Sequence, residues 1–166
     1  MGIKGKLSNY WLKSELKKIK RTNKAFVNIN QANTLGLIWQ EGDMSAVNAL
    51  EKALVLRNIK VKKLCYSETE REITFTAKDF SFLGKPKTEL LHRFTVQPFD
   101  ILIDITRSTK YEVKAIRALS KARFKVGSST EDVSYLDLNI QIDEKDSAEY
   151  LVEQILFYLE VIKNAQ

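Results

Sequence analysis

The chain reads as a three-layer α/β sandwich with a mainly parallel sheet, preceded by a basic N-terminal helix. Three observations predict this class. Short runs rich in Val, Ile, Leu and Phe alternate with amphipathic helical patterns, the signature of right-handed βαβ crossovers. The run Phe99-Asp-Ile-Leu-Ile-Asp-Ile105 has the profile of a strand covered on both faces. The length, 166 residues with 44% hydrophobic and 29% charged side chains, suits one folded domain and neither a membrane bundle nor a disordered tract.

Taken in order, Ser8 or Asn9 is placed to cap a helix running to about Arg21, in which Leu12, Leu16 and Ile19 recur at i, i+4 and i+7. The stripe is narrow, so this helix is expected to dock on the body or on a partner. Residues 25–33 read as a polar connector, although Phe26, Val27 and Ile29 suggest a short extended segment. The body, residues 34–166, opens with a buried strand over Leu35–Trp39. Gly42-Asp43 breaks the chain before a helix over Met44–Arg57, faced by Val47, Leu50 and Leu54. Strands are predicted at Ile59–Tyr66, Ile73–Phe75 and Phe99–Ile105, with a short helix around Leu90, Leu91 and Phe94.

A helix over Thr109–Ala122 precedes a short strand at Phe124 and Val126 that ends at Gly127. Tyr135–Ile142 alternates cleanly, with Leu136, Leu138, Ile140 and Ile142 inward. Tyr135, Asp137, Asn139 and Gln141 then face outward, as in a strand near a sheet edge with one wet face. Asp146 or Ser147 caps the last helix, through about Lys163. Its face of Leu151, Val152, Ile155, Leu159 and Ile162 meets the core. Tyr150, Phe157 and Val161 form a second stripe that calls for a cover: the arm, a second copy or another protein.

Charge divides unevenly along this frame. Residues 1–24 carry Lys4, Lys6, Lys13, Lys17, Lys18, Lys20, Arg21 and Lys24 against Glu15 alone, a net +7, and the remainder is −1. A basic arm on a neutral body points to a polyanion. On the body, Lys110, Lys114, Arg117 and Lys121 recur at i, i+4, i+7 and i+11, a second candidate phosphate-contact face. Tyr10 and Trp11 are placed either to stack on a base or to pack on the body.

Catalytic apparatus is sparse. Cys65 is the only cysteine and His92 the only histidine, which removes disulfides within the chain, cysteine metal clusters and most zinc sites and nucleophile–histidine relays. No catalytic residue, metal site or cofactor is assigned. In an open parallel sheet ligands bind beyond the carboxyl ends of the strands, which singles out Asp43, Asp104 and Ser128 as a ligand-pocket candidate. Asp43 also suits a helix cap, and Asp104 suits bonding to loop backbone. Glu41 and Asp43 beside one another disfavour a bound phosphate, and Gly127-Ser-Ser-Thr130 lacks the spacings of known phosphate loops.

The order from Thr34 onwards resembles an uncharacterised family of small basic bacterial α/β proteins. The likeness is carried by Phe99–Ile105, by Ala118-Leu-Ser-Lys-Ala-Arg-Phe-Lys-Val-Gly127 and by Tyr135-Leu-Asp-Leu138, and the basic start fits it too. More distantly, the central block is similar to the amino-terminal Rossmann-like half of heptosyltransferase-type glycosyltransferases. Glu41-Gly42-Asp43 stands where those enzymes have a Gly-Asp after their first strand. That resemblance implies a Rossmann-like scaffold with a lost or changed function, because the half that mainly holds the nucleotide-sugar donor has no counterpart here.

Together these features lead to the expectation of a non-catalytic cytoplasmic adaptor. It would dock on RNA or a ribonucleoprotein such as the ribosome through the basic arm and the basic helix face. The alternatives are a peripheral membrane or membrane-complex protein anchored by the same arm at an anionic surface, and a degenerate glycosyltransferase-like enzyme or ligand-binding module.

Overall fold

The computed structural model describes residues 2–21, 23–71 and 73–163. Six strands form one sheet in the order β3-β2-β1-β4-β5-β6: β1 (Thr34–Gln40), β2 (Lys60–Tyr66), β3 (Thr74–Phe75), β4 (Ile101–Asp104), β5 (Phe124–Gly127) and β6 (Leu138–Asn139). Every pairing is parallel. The order reverses between β1 and β4, which pair from Leu35↔Ile101 to Ile38↔Asp104. The predicted α/β class holds, and the sheet is wholly parallel.

Alternation along the strands sorts side chains into two cores. Leu35, Leu37, Trp39, Ile101, Ile103 and Ile105 meet α2 (Met44–Val55) and α5 (Ala148–Val161) on one face. Ile38, Leu64, Phe99 and Leu102 meet α3 (Glu89–Val96) and α4 (Tyr111–Leu119) on the other. Gly36 lies on β1 where the Phe99 ring presses against the strand. A Cβ there would come within 2.7 Å of that ring, so the position tolerates no side chain.

The N-terminal helix, α1 (Ile3–Lys18), starts five residues before the predicted cap at Ser8. Ser8 is instead inside the helix, and its hydroxyl donates to the Lys4 carbonyl at 2.9 Å, an outlet for a hydroxyl that needs no cap position. Leu12 is 1% exposed and joins the α3–α4 core together with Trp11, Leu16 and Ile19. Burying a leucine to this degree stabilises by about 1.5–3 kcal/mol, so the predicted stripe docks on the body. Tyr111 stitches α1 down further, its single hydroxyl proton shared between the carbonyls of Ser8 (3.2 Å) and Gly84 (3.0 Å). Gly84 has φ +83° and lies directly beneath that ring, which makes glycine the residue that fits.

The connector is a correction. Val27 and Ile29 are buried in the α2–α5 core, and Asn28 caps the end of α5 by donating to the carbonyls of Glu160 and Ile162. No ladder forms there. The alternating edge segment is likewise shorter than predicted. Only Leu138–Asn139 pairs with β5, and of its outward row Gln141 is exposed, whereas the Asp137 side chain is 8% exposed and Asn139 bonds back to Ser129. Ser147 caps α5, accepting from the Tyr150 N–H. On α5, Tyr150, Phe157 and Val161 remain exposed, and α1 lies on the opposite side of the sheet, so the arm is not their cover.

Candidate functional site

The carboxyl ends of β1 and β4 meet at the reversal of strand order, where open α/β sheets take ligands. All three predicted pocket residues lie at this end of the sheet, but each is engaged differently. Asp104 is fully buried. Its Oδ1 accepts from the Thr106 N–H (2.9 Å) and hydroxyl (2.7 Å), and its Oδ2 accepts from Arg117 at 2.7 Å. It is a structural anchor with no face left for a ligand. Ser128 is buried one residue beyond the Asp104↔Gly127 pair. Asp43 occupies the residue before α2, yet its side chain makes no cap bond, and only its backbone carbonyl accepts from Val47.

Burial, with Glu149 adding to it, raises the Asp43 pKa against the opposing pull of Arg107 and Gln40. Asp43 Oδ2 and Arg107 Nε are both buried without a hydrogen-bond partner. Arg107, with φ +52°, is fixed by donating to the Asp146 carbonyl at 2.6 Å.

A cleft of about 400 Å³ opens beside them, lined by Gln40, Glu41, Ser67, Glu68, Ser108 and Lys110 among others. Its carboxylates are already answered. Glu41 accepts from the Ser67 hydroxyl (2.7 Å) and pairs with Arg71 (2.8 Å), and Glu68 pairs with Lys110 at 3.2 Å. Among the described residues no group of three or more metal-ligating side chains exists.

The basic helix face does not survive as a surface. Arg117 is 0% exposed and is held by Asp104 and, at 3.3 Å, by Glu131. Lys114 pairs with the same Glu131 at 3.0 Å, and Lys110 precedes α4 in its bridge to Glu68. Only Lys121, beyond the helix, stays exposed and unpaired among the described residues. The regular spacing of four cations concealed one that turns inward to neutralise Asp104. Beneath the same helix, Lys125 donates to the carbonyls of Arg117 (2.7 Å) and Ala118 (3.0 Å), and burial pushes its ammonium down to about 7. Those two carbonyls receive two of the N–H bonds of Lys125.

The cations of the arm divide by role. Arg21 is a clasp: it donates to the Ala122 and Arg123 carbonyls and forks onto Asp137 at 2.9 and 2.6 Å. Lys24 joins the same carboxylate at 3.1 Å, and the Lys125 backbone N–H donates to it at 2.8 Å. Burial alone would raise the Asp137 pKa, but Arg21, with Lys125 and Lys24, overrides it and holds the carboxyl below its ordinary value. Lys18 bridges Glu15 at 3.2 Å. Lys4, Lys6, Lys13, Lys17 and Lys20 stay exposed, with no ion pair among the described residues.

Lys6, Lys13 and Lys17, at i, i+7 and i+11, form one outward stripe on α1. Trp11 turns toward the body, whereas Tyr10 is 76% exposed. His92 is exposed on α3, away from any relay. The alternation places Asp137 in an outward row, and nothing in its local sequence announces the clasp.

These features define a Rossmann-like parallel α/β protein whose carboxyl-end cleft is lined by side chains already held in internal ion pairs, with a docked basic helix on one face. The chain belongs to the Family of unknown function (DUF6913), whose model matches residues 4–162 and so takes in both arm and body. No curated protein and no solved structure matches the chain.

Proposed function

We propose that this protein is a non-catalytic adaptor that docks on RNA or a ribonucleoprotein such as the ribosome through the outward face of α1. One observation carries the reading. The apolar side of α1, centred on Leu12, is spent on docking to the body, which holds Lys6, Lys13 and Lys17 outward on a rigid helix, with Lys20 exposed just beyond its end. A fixed row of unpaired cations neutralises phosphates without ordering a flexible tail on binding. Of the four cations in and around α4, only Lys121, beyond the helix, remains available to such a surface.

A membrane-surface reading has its own observation, since Ile3 and Leu7 are 77% and 37% exposed near Tyr10. Against it, Leu12, Leu16 and Ile19 would have to leave the core before they could enter lipid. Among the described residues no helix is long and apolar enough to cross a membrane.

The test is capture of the native protein from cells with and without nuclease, joined to a salt titration on purified RNA. With four or five phosphates neutralised, log affinity should fall against log salt with a slope of roughly −3. Changing Lys6, Lys13 and Lys17 together to Gln should reduce that slope by about 2. Nuclease-resistant capture with a flat salt response refutes the reading.

A further inference from the structure

We infer that the polyanion taken by the α1 face is single-stranded nucleic acid, with one base stacked on the ring of Tyr10. The inference rests on the basic-face reading and adds the substrate class. Tyr10 is the fourth residue after Lys6 and the third before Lys13, so on a helix it stands in line with Lys6, Lys13 and Lys17. Its ring is 76% exposed and has neither a hydrogen-bond nor a ring partner among the described residues. The adjacent Trp11 shows that an aromatic side chain of α1 can be absorbed by the body; Tyr10 is left out.

A bare aromatic face inside a row of cations offers what a single strand has and a duplex hides. Unpaired bases present their own faces for stacking while phosphates on either side meet the lysines. A duplex keeps its bases inside and offers this helix only phosphates and sugars. From Lys6 to Lys17 the stripe runs about 16 Å, enough for a few nucleotides. The arrangement specifies no base, because every base has a stacking face and no side chain here is placed to read an edge.

The experiment compares wild type, Tyr10→Ala, Tyr10→Phe and the Lys6, Lys13 and Lys17 triple change to Gln. Each full-length protein is titrated against a short oligouridylate, an RNA duplex of equal phosphate count and phosphatidylserine vesicles. Tyr10→Ala should weaken oligouridylate binding by about fivefold or more. Tyr10→Phe should keep it, and neither should change duplex binding by more than about twofold. Because Tyr10 is exposed, all three Tyr10 forms should share one melting curve.

Equal losses on single strand and duplex, or no loss on either, overturn the single-strand inference. If the lysine triple still abolishes binding in that case, the basic-face reading stands. If the triple binds as wild type does, or wild type binds no RNA, both fall. A loss by Tyr10→Ala on vesicles alone overturns the inference in favour of lipid.

Discussion

Replacing Asp137 with Asn tests the clasp that ties the arm to the far edge of the sheet. The carboxylate side chain is 8% exposed and its partner Arg21 18%, so the pair is largely out of water. Removing one member of a buried pair typically costs about 3–5 kcal/mol. Here Arg21 keeps its bonds to the Ala122 and Arg123 carbonyls, and Asn keeps one oxygen for the Lys125 N–H, so about 2–3 kcal/mol is expected. Lys24, with its side chain 63% exposed, adds little.

Urea unfolding followed by circular dichroism measures the loss, and a cycle with Arg21→Met isolates the pair. The coupling should be at least about 1 kcal/mol, and additivity within about 0.5 kcal/mol would refute the clasp. The pH dependence has a definite sign. A carboxyl held low in the folded state supplies stability that is full above the unfolded value of about 3.9 and is lost as pH falls through the folded value. The gap between wild type and Asp137→Asn should therefore close in acid, below pH 4, and a gap that persists there would contradict the mechanism.

Lys125 gives a dependence of the same sign at higher pH. With its folded value near 7 against an ordinary 10.5, the unfolded chain binds a proton the native one lacks, so stability should rise with pH between those values, by at most about 1.4 kcal/mol per unit. Lys125→Met should lack that slope, and identical slopes in chemical unfolding would show the ammonium stays charged in the fold. Leu12→Ala should lower stability by about 2 kcal/mol and expose α1 to trypsin before the sheet unfolds; unchanged cleavage kinetics would show that the helix is held elsewhere. Ile103→Asp places an unpaired charge at a fully buried position on β4 and should cost several kcal/mol, so a soluble variant with an unchanged melting curve would overturn the central-strand assignment.

The sheet was legible because burial on both faces leaves its mark on each strand. Phe99–Ile105 needs apolar residues toward α2 and α5 and toward α3 and α4 alike. The helices α2, α4 and α5 were legible for the matching reason, one apolar face each. What escaped were side chains whose partners lie far along the chain. Arg117 keeps the spacing of a surface row, and only the presence of Asp104 and Glu131 above it makes burial favourable. Asp137 finds Arg21 across 116 residues, a pairing no local pattern encodes. Val27 and Ile29 stand out as apolar, but two residues are too few to reveal a period, so their burial under α5 is not legible. The start of α1 was misplaced since Gly2 supplies no capping side chain, and a helix that begins without one offers nothing to read.

The lysine row of α1 and the exposed apolar side chains of α5 are back to back. The lysine row of α1 belongs to the layer over α3 and α4, whereas Tyr150, Phe157 and Val161 look out from α5 in the layer across the sheet. A ligand on one side therefore neither blocks nor touches a ligand on the other, and the two can be occupied independently. Between them runs a rigid parallel sheet with no hinge of its own. A ligand on α1 and another on α5 would thus be separated by the sheet and the two helical layers that cover it.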